Sequence, residues 1–375
     1  MSVLMSKMRL LGFAAFISSL AFLSAGAAHA GALYFPSSKG EWEKADVKAK
    51  GFDEAALKKV SDYACQTDAT DLVVLYEGRI ALETHCPLPE KDSVPADFWR
   101  VRKGTTASGE SIEDVSSMQK SVVSVLIGMA AGKKILDVDK PASIWLGKGW
   151  TKATPEQEEA ITLRHLLSMA SGLDEKLGYE EQPGTFWRYN TTAYSRLIFV
   201  LEKATGKSIQ HLSEEWLFKP IGMASSRWNE RSDEQKRASP WGSPFGFETT
   251  ARDYARLGLL VLNKGMWNGK DILHNPGWIE QSTRPSQDSN PSYGYLWWLN
   301  GQKFHKNGRG RVEAENGPLI KSAPADLIAG LGAGDRKIYI VPGRSLVVTR
   351  FGAPAGGDTF SFKFWHYLMK SLPQQ

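Results

Sequence analysis

Ser117-Met118-Gln119-Lys120 is followed at once by the apolar run 121–131 (SVVSVLIGMAA), and the stretch predicts a buried helix over 117–133. A serine and a lysine three residues apart on a helix lie on one face, so their side chains can meet. Ser117 also lies at the predicted helix start, where unpaired N–H groups and the helix dipole favour negative charge. One turn of chain therefore offers a nucleophile, a base and an oxyanion donor. Because serine and lysine are common, the tetrad alone is more often structural than catalytic.

The first 30 residues have the pattern of a signal peptide. Lys7 and Arg9 precede an apolar run from Leu10 to Leu23, and Ala28-His29-Ala30 has the small-x-small form of a signal-peptidase site. The run is shorter than the roughly 20 apolar residues that a membrane span needs. We therefore expect cleavage after Ala30, a mature chain of 31–375 without a transmembrane segment, and a periplasmic or secreted location.

The charge pattern does not indicate a nucleic-acid partner. The 46 basic and 41 acidic residues give a formal net charge of +5, which the loss of Lys7 and Arg9 lowers by two. The basic residues are scattered among acidic ones and form no stripe. The seven histidines are spread singly, and none pairs at metal-ligand spacing. We therefore expect no metal site, and nothing in the composition indicates an oligomeric state.

The two cysteines, Cys65 and Cys86, are also relevant to where the protein is located. An exported chain meets an oxidising compartment, in which a disulfide between them is favoured. The alternative is a pair of buried thiols. The sequence therefore predicts a Cys65–Cys86 disulfide.

The predicted strands lie at the two ends of the chain. A helix over 53–64 is followed by a hairpin of 72–76 and 80–84, which flank Glu77-Gly78-Arg79. Near the other end, the apolar runs 337–341 and 345–350 are separated by Pro342-Gly343 and precede a final amphipathic helix over 360–372. Both ends can therefore contribute to one antiparallel sheet.

The middle of the chain is predicted to be mostly helical, over 117–133, 163–170, 193–205, 209–218 and 251–263. The whole pattern predicts an α+β fold with an antiparallel sheet from both chain ends, flanked by helices, and an inserted mainly helical lobe. The sheet lobe would comprise about 31–116 and 300–375, and the helical lobe about 117–299.

Two further segments carry candidate functional groups. Pro183-Gly184 marks a turn, and Asn190 or Thr191 can cap the following helix, so Tyr189 would project from a loop at a helix start. A tyrosine beside a lysine can relay a proton, although a tyrosine packed on the surface is the alternative. The glycine-rich segment 330–335 (GLGAGD) leads into a strand and would let the backbone approach a ligand closely, unless it is an ordinary loop.

Taken together, these segments resemble the serine β-lactamase and penicillin-recognising hydrolase superfamily. The branch includes class C β-lactamases, D-alanyl-D-alanine carboxypeptidases, related esterases and 6-aminohexanoate-dimer hydrolases. Ser117 to Lys120 matches the Ser-x-x-Lys element, and Tyr189-Asn190-Thr191 matches Tyr-x-Asn with threonine in place of asparagine. Weaker supporting matches follow in the order of the family, at 161–167, 171–173, 220–223, 250–258 and 293–298.

One departure from the family concerns the third motif. The chain has no Lys-Thr-Gly or His-x-Gly element, and the matching stretch is similar to a Gly-x-x-Gly-Gln variant that carries Asp335-Arg336 in place of Gly-Gln. A β-lactam carboxylate would lose its usual cation and hydroxyl, unless Arg336 substitutes for them. We therefore expect poor β-lactam hydrolysis.

The resemblance implies a serine hydrolase that cleaves a small-molecule ester or amide through an acyl-enzyme on Ser117, without a cofactor. Lys120 would be the base, with a pKa lowered by burial and the helix dipole, and Tyr189 would relay a proton. The N–H groups of Ser117 and Ala333 would hold the oxyanion. Substrate contacts are expected at Thr191, Gly332, Gly334 and Trp298.

Other aromatic residues near the motifs, Trp187, Tyr293 and Trp297, could line the pocket or pack in the core. Two other functions remain open. One is a D-alanyl-D-alanine carboxypeptidase or β-lactamase, which the missing third motif disfavours. The other is a non-catalytic binding module of the same fold, which the complete set of Ser117, Lys120 and Tyr189 disfavours.

Overall fold

The computed structural model describes residues 33–38, 40–233, 236, 242–308 and 311–374. The predicted signal peptide lies outside the described residues. The strands are β1 (Ala69–Tyr76), β2 (Arg79–His85), β3 (Arg102–Thr105), β4 (Ser111–Asp114), β5 (Arg227–Glu230), β6 (Phe245–Thr249), β7 (Met266–Trp267), β8 (Lys270–Asp271), β9 (Trp298–Leu299), β10 (Phe304–His305), β11 (Glu315–Asn316), β12 (Ile328–Leu331), β13 (Lys337–Val341) and β14 (Leu346–Gly352).

The α-helices are α1 (Glu54–Gln66), α2 (Ala96–Val101), α3 (Gln119–Gly132), α4 (Ser143–Leu146), α5 (Pro155–Glu159), α6 (Leu163–Leu167), α7 (Thr191–Thr205), α8 (Ile209–Ser213), α9 (Lys219–Ile221), α10 (Ala251–Leu262), α11 (Trp278–Ser282) and α12 (Asp358–Ser371). Short 3₁₀ turns occupy Ser116–Met118 and Pro342–Arg344, and a π-helical turn occupies Glu214–Phe218. Among the described residues, no helix is both long and apolar enough to cross a bilayer.

A six-stranded antiparallel sheet joins the two ends of the chain, in the order β2-β1-β14-β13-β12-β9. Strand β1 comes from the N-terminal part and pairs with β14 from the C-terminal part. Strands β1 and β14 are buried along almost their whole length, as expected for strands with both faces covered. The prediction of an α+β fold with a sheet built from both chain ends is confirmed.

Helices cover the two faces of this sheet. Ile338 and Tyr339 are consecutive in β13, so their side chains point to opposite faces. A Cβ on Gly258 of α10 would lie 2.8 Å from Ile338 and still closer to β14, so α10 packs tightly on one face. On the other face Tyr339 contacts Trp365 of α12, with ring centroids 5.4 Å apart.

The disulfide between Cys65 and Cys86 is present, with an S–S distance of 2.06 Å and a Cα–Cα distance of 5.3 Å. It joins the last turn of α1 to the residue after β2. Helix α1 begins after Asp53, whose side chain accepts a hydrogen bond from the Ala56 N–H. Both the disulfide and the predicted helix start are confirmed.

The segment predicted as a helical lobe also contains strands that the sequence analysis did not include. Strands β3, β4, β6 and β5 form a second antiparallel sheet in that order, and β5 and β6 come from this segment. Helix α10, also from this segment, packs on the six-stranded sheet rather than within a separate lobe. Strands of four or five residues are too short for a clear period, which explains why they were missed.

Helix α3 is buried along nearly all of its length and directly follows the candidate nucleophile. Residues 119–130 are all buried, which is the behaviour of a helix that is apolar on all sides. The predicted helix over 117–133 is therefore a 3₁₀ turn at 116–118 followed by α3. Ser117 lies in the turn and Lys120 in the first turn of α3.

Candidate active site

The turn that carries Ser117 has a strained backbone that neighbouring side chains hold in place. Ser116 has a φ of 52°, which is uncommon for a residue with a Cβ. Its N–H donates to Oδ1 of Asp114 over 2.9 Å. The Asp114 carboxylate is paired in turn with Arg231, whose Nη2 lies 2.9 Å from Oδ2. Asp114 and Arg231 therefore support the turn that presents Ser117, and sequence analysis named neither of them.

Lys120 lies beside the candidate nucleophile, as predicted from the three-residue spacing. Its Nζ donates to the Oγ of Ser117 over 3.1 Å. Lys120 is 2% exposed, whereas Ser117 is partly accessible. The same Nζ lies 4.8 Å from the ring centroid of Tyr189 and 4.7 Å from that of Tyr194. The amine is therefore within hydrogen-bond distance of the hydroxyl that it would deprotonate.

Tyr189 lies immediately before α7 in a firmly anchored loop. Of the two predicted caps, Asn190 is the N-cap, because its side chain accepts from the Ala193 N–H over 2.9 Å. Its amide group also donates to the carbonyls of Leu173 and Asp174, at 2.9 and 2.8 Å. Asn190 therefore ties the start of α7 to the preceding loop and holds Tyr189 next to Lys120.

Thr191 is the first residue of α7 and is buried. Within the described part of the chain its Oγ1 has no hydrogen-bond partner. A buried hydroxyl without a partner carries a desolvation cost. It is therefore a polar group close to Tyr189 that a substrate could satisfy.

The aromatic residues near the motifs pack on Tyr189. Trp298 stacks on the Tyr189 ring with centroids 5.8 Å apart and planes 22° apart. Trp187 and Tyr293 contact the same ring at 6.2 and 6.3 Å. Trp187, Tyr293, Trp297 and Trp298 are all 5% exposed or less. Trp187, Tyr293 and Trp298 therefore support the Tyr189 ring, and all four residues belong to the core rather than to an open pocket wall.

Three buried tyrosines that contact Lys120, the nucleophile turn or Tyr189 are held in the neutral form. Burial raises the pKa of Tyr194, Tyr254 and Tyr293 well above the ordinary value for a phenol. The Tyr254 hydroxyl donates to the Met118 carbonyl over 2.5 Å, which ties α10 to the nucleophile turn. Among these rings, the partly accessible Tyr189 is the one placed to exchange a proton with a substrate.

The end of β12 lies directly against the nucleophile turn. A Cβ on Gly332 would lie 2.4 Å from the carbonyl oxygen of Val115, so only glycine fits there without a shift. The Gly332 N–H donates to the Arg336 carbonyl over 2.8 Å. Ala333 follows at an exposed position, and Gly334 has a φ of 74°. The predicted glycine-rich segment therefore does approach Ser117 closely.

Arg336 is engaged inside the protein. It is 2% exposed, and its Nε donates to Oε2 of Glu113 over 2.5 Å. Its Nη1 donates to the Ala333 carbonyl over 2.9 Å. Glu113 also accepts from the Thr70 hydroxyl and from the Gly352 N–H. Arg336 therefore neutralises a buried carboxylate beneath the turn 333–335, and the idea that it replaces the β-lactam-binding cation finds no support in this geometry.

Asp335 is likewise a structural residue. Burial alone would raise the pKa of its carboxyl, but Lys337 and the N–H groups of Ala355 and Gly357 bring that pKa below its ordinary value. The Lys337 Nζ lies 3.0 Å from Asp335 Oδ1. The pair Asp335-Arg336 thus stabilises the loop around β12 and β13.

Comparisons with known proteins identify structures of the same fold. A Bacteroides dorei DSM 17855 protein provisionally described as a beta-lactamase has a similar structure, with a TM-score of 0.63 and 17% identity, covering 85% of this chain and 99% of that one. A Bacillus anthracis protein provisionally described as a 6-aminohexanoate-dimer hydrolase has a TM-score of 0.61 and 19% identity, covering 92% and 91%.

Penicillin-binding protein 4* of Bacillus subtilis (strain 168) is 23% identical over an alignment of 171 residues, with coverage of 38% of this chain and 36% of that protein. The chain thus spans about a third of the length of this curated relative. The beta-lactamase family model matches residues 72–349, which is well over half of the chain. This match includes all the candidate residues from Ser117 to Ala333, and the protein therefore belongs to the beta-lactamase family, whose members are serine hydrolases.

Proposed function

We propose that the protein is an exported serine hydrolase that cleaves an ester or amide bond through a covalent acyl-enzyme on Ser117. The observation that carries this proposal is the 3.1 Å contact between the buried Lys120 Nζ and the accessible Ser117 Oγ. A nucleophile within hydrogen-bond distance of a base is the arrangement that activates serine. The Tyr189 ring beside the same amine adds a second proton-transfer group.

In the proposed mechanism, the Ser117 Oγ attacks the carbonyl carbon of the substrate and its proton passes to neutral Lys120. The N–H groups of Ser117 and Ala333 stabilise the resulting oxyanion, and each such donor contributes about 3 kcal/mol to the transition state. Tyr189 delivers a proton to the leaving alcohol or amine as the tetrahedral intermediate collapses, and it regains a proton from Lys120, which returns to the neutral form. Water then attacks the acyl-enzyme and restores Ser117.

The residues proposed to bind substrate or to support the site have different parts in this mechanism. Thr191 offers a buried hydroxyl with no partner among the described residues. Gly332 and Gly334 leave the end of β12 without side chains, so that its backbone can lie beside the reacting carbonyl. Trp298 acts by stacking on Tyr189 and fixing the orientation of its ring.

The engagement of Arg336 by Glu113 favours esters and simple amides over β-lactams. The partial likeness to a penicillin-binding protein keeps a D-alanyl-D-alanine carboxypeptidase or β-lactamase as the second candidate. A non-catalytic binding module is disfavoured by the contact between Ser117 and Lys120. The Cys65–Cys86 disulfide supports export to a periplasmic or extracellular location.

The test compares short-chain 4-nitrophenyl esters, small amides, D-alanyl-D-alanine peptides and nitrocefin as substrates of the purified chain 31–375. We expect the esters to be cleaved fastest, and Ser117→Ala to abolish turnover without changing the melting temperature by more than a few degrees. Mass spectrometry of the quenched wild type should show an acyl adduct on the peptide that contains Ser117. An active Ser117→Ala enzyme would overturn the proposal, and nitrocefin turnover equal to ester turnover would favour the second candidate.

A further inference from the structure

A cavity of about 310 Å³ lies between α7 and the segment 242–244 that precedes β6. Thr192 and Arg196, one helical turn apart on α7, line it together with Phe199 and Ser243. Its wall therefore combines a cation, hydroxyl groups and an aromatic ring.

The charge of Arg196 is uncompensated in the described part of the chain, where no carboxylate forms an ion pair with it and its buried Nε has no hydrogen-bond partner. Its guanidinium lies 5.7 Å from the ring centroid of Phe199. Burial lowers the pKa of Arg196 from its ordinary value, which shows that the charge is partly desolvated. The Thr192 hydroxyl is also without a partner among the same residues. Two adjacent donors thus carry a desolvation cost that an anion could offset.

Two other cations near this cavity, within the part of the chain that the structure describes, already have partners. Lys236 is paired with Glu230, with its Nζ 2.8 Å from Oε1. Arg231 is paired with Asp114. Among the described residues, Arg196 therefore differs from these two cations in having no carboxylate partner.

The cavity is connected to the nucleophile turn through Arg231. The N–H of Arg231 donates to the carbonyl of Pro244, and its Nη1 donates to that of Ser243, at 2.9 and 3.4 Å. The same guanidinium holds Asp114, which positions Ser116. On the other side, Thr192 lies three residues after Tyr189, and Arg196 is one further helical turn along α7. A substrate that binds in this cavity while it reacts with Ser117 must be long enough to span the start of α7.

We propose that this cavity binds a carboxylate group of the substrate, which makes the natural substrate an anionic ester or amide. The guanidinium of Arg196 and the hydroxyl of Thr192 donate hydrogen bonds to the carboxylate, because a planar guanidinium fits a carboxylate with two parallel bonds. Phe199 contacts the apolar part of the substrate next to the carboxylate. This inference rests on the proposed hydrolase activity and names the substrate class of that same site.

The kinetic test uses two matched pairs of esters, because the carboxylate can lie on either side of the scissile bond. In the first pair, mono(4-nitrophenyl) adipate is compared with 4-nitrophenyl hexanoate, so that the carboxylate lies on the acyl side. The acid 3-(4-acetoxyphenyl)propanoate against its neutral amide places it on the leaving-group side. In one of the pairs we expect kcat/KM to favour the acid by about tenfold or more, as for one charge-assisted hydrogen bond.

The ratio of acid to neutral kcat/KM should fall towards one in Arg196→Gln and be partly retained in Arg196→Lys. Lys203→Gln is the matched control, because Lys203 is an exposed cation on the same helix outside the cavity, and it should keep the wild-type ratio. A wild type without acid preference in both pairs, or equal ratios in Arg196→Gln and Lys203→Gln, would overturn the proposal.

A binding measurement separates this proposal from the hydrolase proposal. Calorimetric titration of Ser117→Ala with 3-phenylpropanoate should give binding that 3-phenylpropanamide does not, and Arg196→Gln on that background should weaken it about tenfold or more. Binding that depends on Arg196 in a protein that cleaves no ester would retain the site and reject the hydrolase function. If the protein cleaves esters but shows neither a preference for the acid substrates nor binding that depends on Arg196, the hydrolase function is retained and the carboxylate site is rejected.

Discussion

Replacing Glu113 with glutamine should reveal whether Arg336 is a structural residue or a substrate-binding one. The side chains of Arg336 and Glu113 are 3% and 0% exposed, with Nε 2.5 Å from Oε2. Removing one partner of such a pair leaves the other charge buried and uncompensated. The expected loss in the free energy of unfolding for Glu113→Gln is therefore about 3–5 kcal/mol.

The assay is urea denaturation at constant pH, followed by tryptophan fluorescence. Glu280→Gln is the matched control, because the Lys264–Glu280 pair has a similar distance of 2.6 Å but side chains that are 71% and 64% exposed. Its loss should be less than about 1 kcal/mol. The double variant Glu113→Gln/Arg336→Met should be more stable than the sum of the two single changes predicts, because it leaves no unpaired charge.

The reasoning fails if Glu113→Gln and Glu280→Gln lower the free energy of unfolding by the same small amount. Arg336 would then be free of a structural role and available to a ligand. In that case Arg336→Met should raise the KM for nitrocefin, whereas a structural Arg336 predicts that its loss lowers stability first.

Three further outcomes are expected. Gly332→Ala should lower kcat for a small ester about tenfold or more, with a modest loss of stability. The new Cβ would lie 2.4 Å from the Val115 carbonyl and would displace β12 from the nucleophile turn. An unchanged kcat would contradict this prediction. Tyr189→Phe should slow turnover and leave some acyl-enzyme detectable by mass spectrometry, and full activity would exclude Tyr189 as the proton relay. Burial raises the pKa of Asp253 from 3.8 to about 6, so its contribution to stability is fully present below about pH 4 and is lost as the pH rises through 6. Between about pH 4 and pH 6, the free energy of unfolding of Asp253→Asn should therefore fall by up to about 3 kcal/mol less than that of the wild type. Parallel curves of the free energy of unfolding against pH for the variant and the wild type would refute this prediction.

Features that depend on a few consecutive residues could be predicted from the sequence. The Ser117 and Lys120 side chains meet because a helix places residues three apart on one face. Helix α3 could be predicted because its apolar residues leave no polar face, and the start of α1 because Asp53 is a capping residue followed by helical periodicity. The signal-peptide pattern and the presence of two cysteines led to the Cys65–Cys86 disulfide through the chemistry of the compartment.

Other features arise only when distant segments pack together. Arg231 meets Asp114 across 117 residues of chain, and Arg336 meets Glu113 across 223. The stacking of Trp298 on Tyr189 depends on where the edge strand β9 lies, and the short strands β3 to β6 have too few residues to show a period. The sequence by itself therefore determined which residues could act as nucleophile, base and proton relay. Only the tertiary structure decided which charged residues support the nucleophile turn. It also decided that Arg196 has no carboxylate partner among the described residues. Both depend on the spatial order of strands and helices, because ion pairing between distant segments does not follow from local spacing.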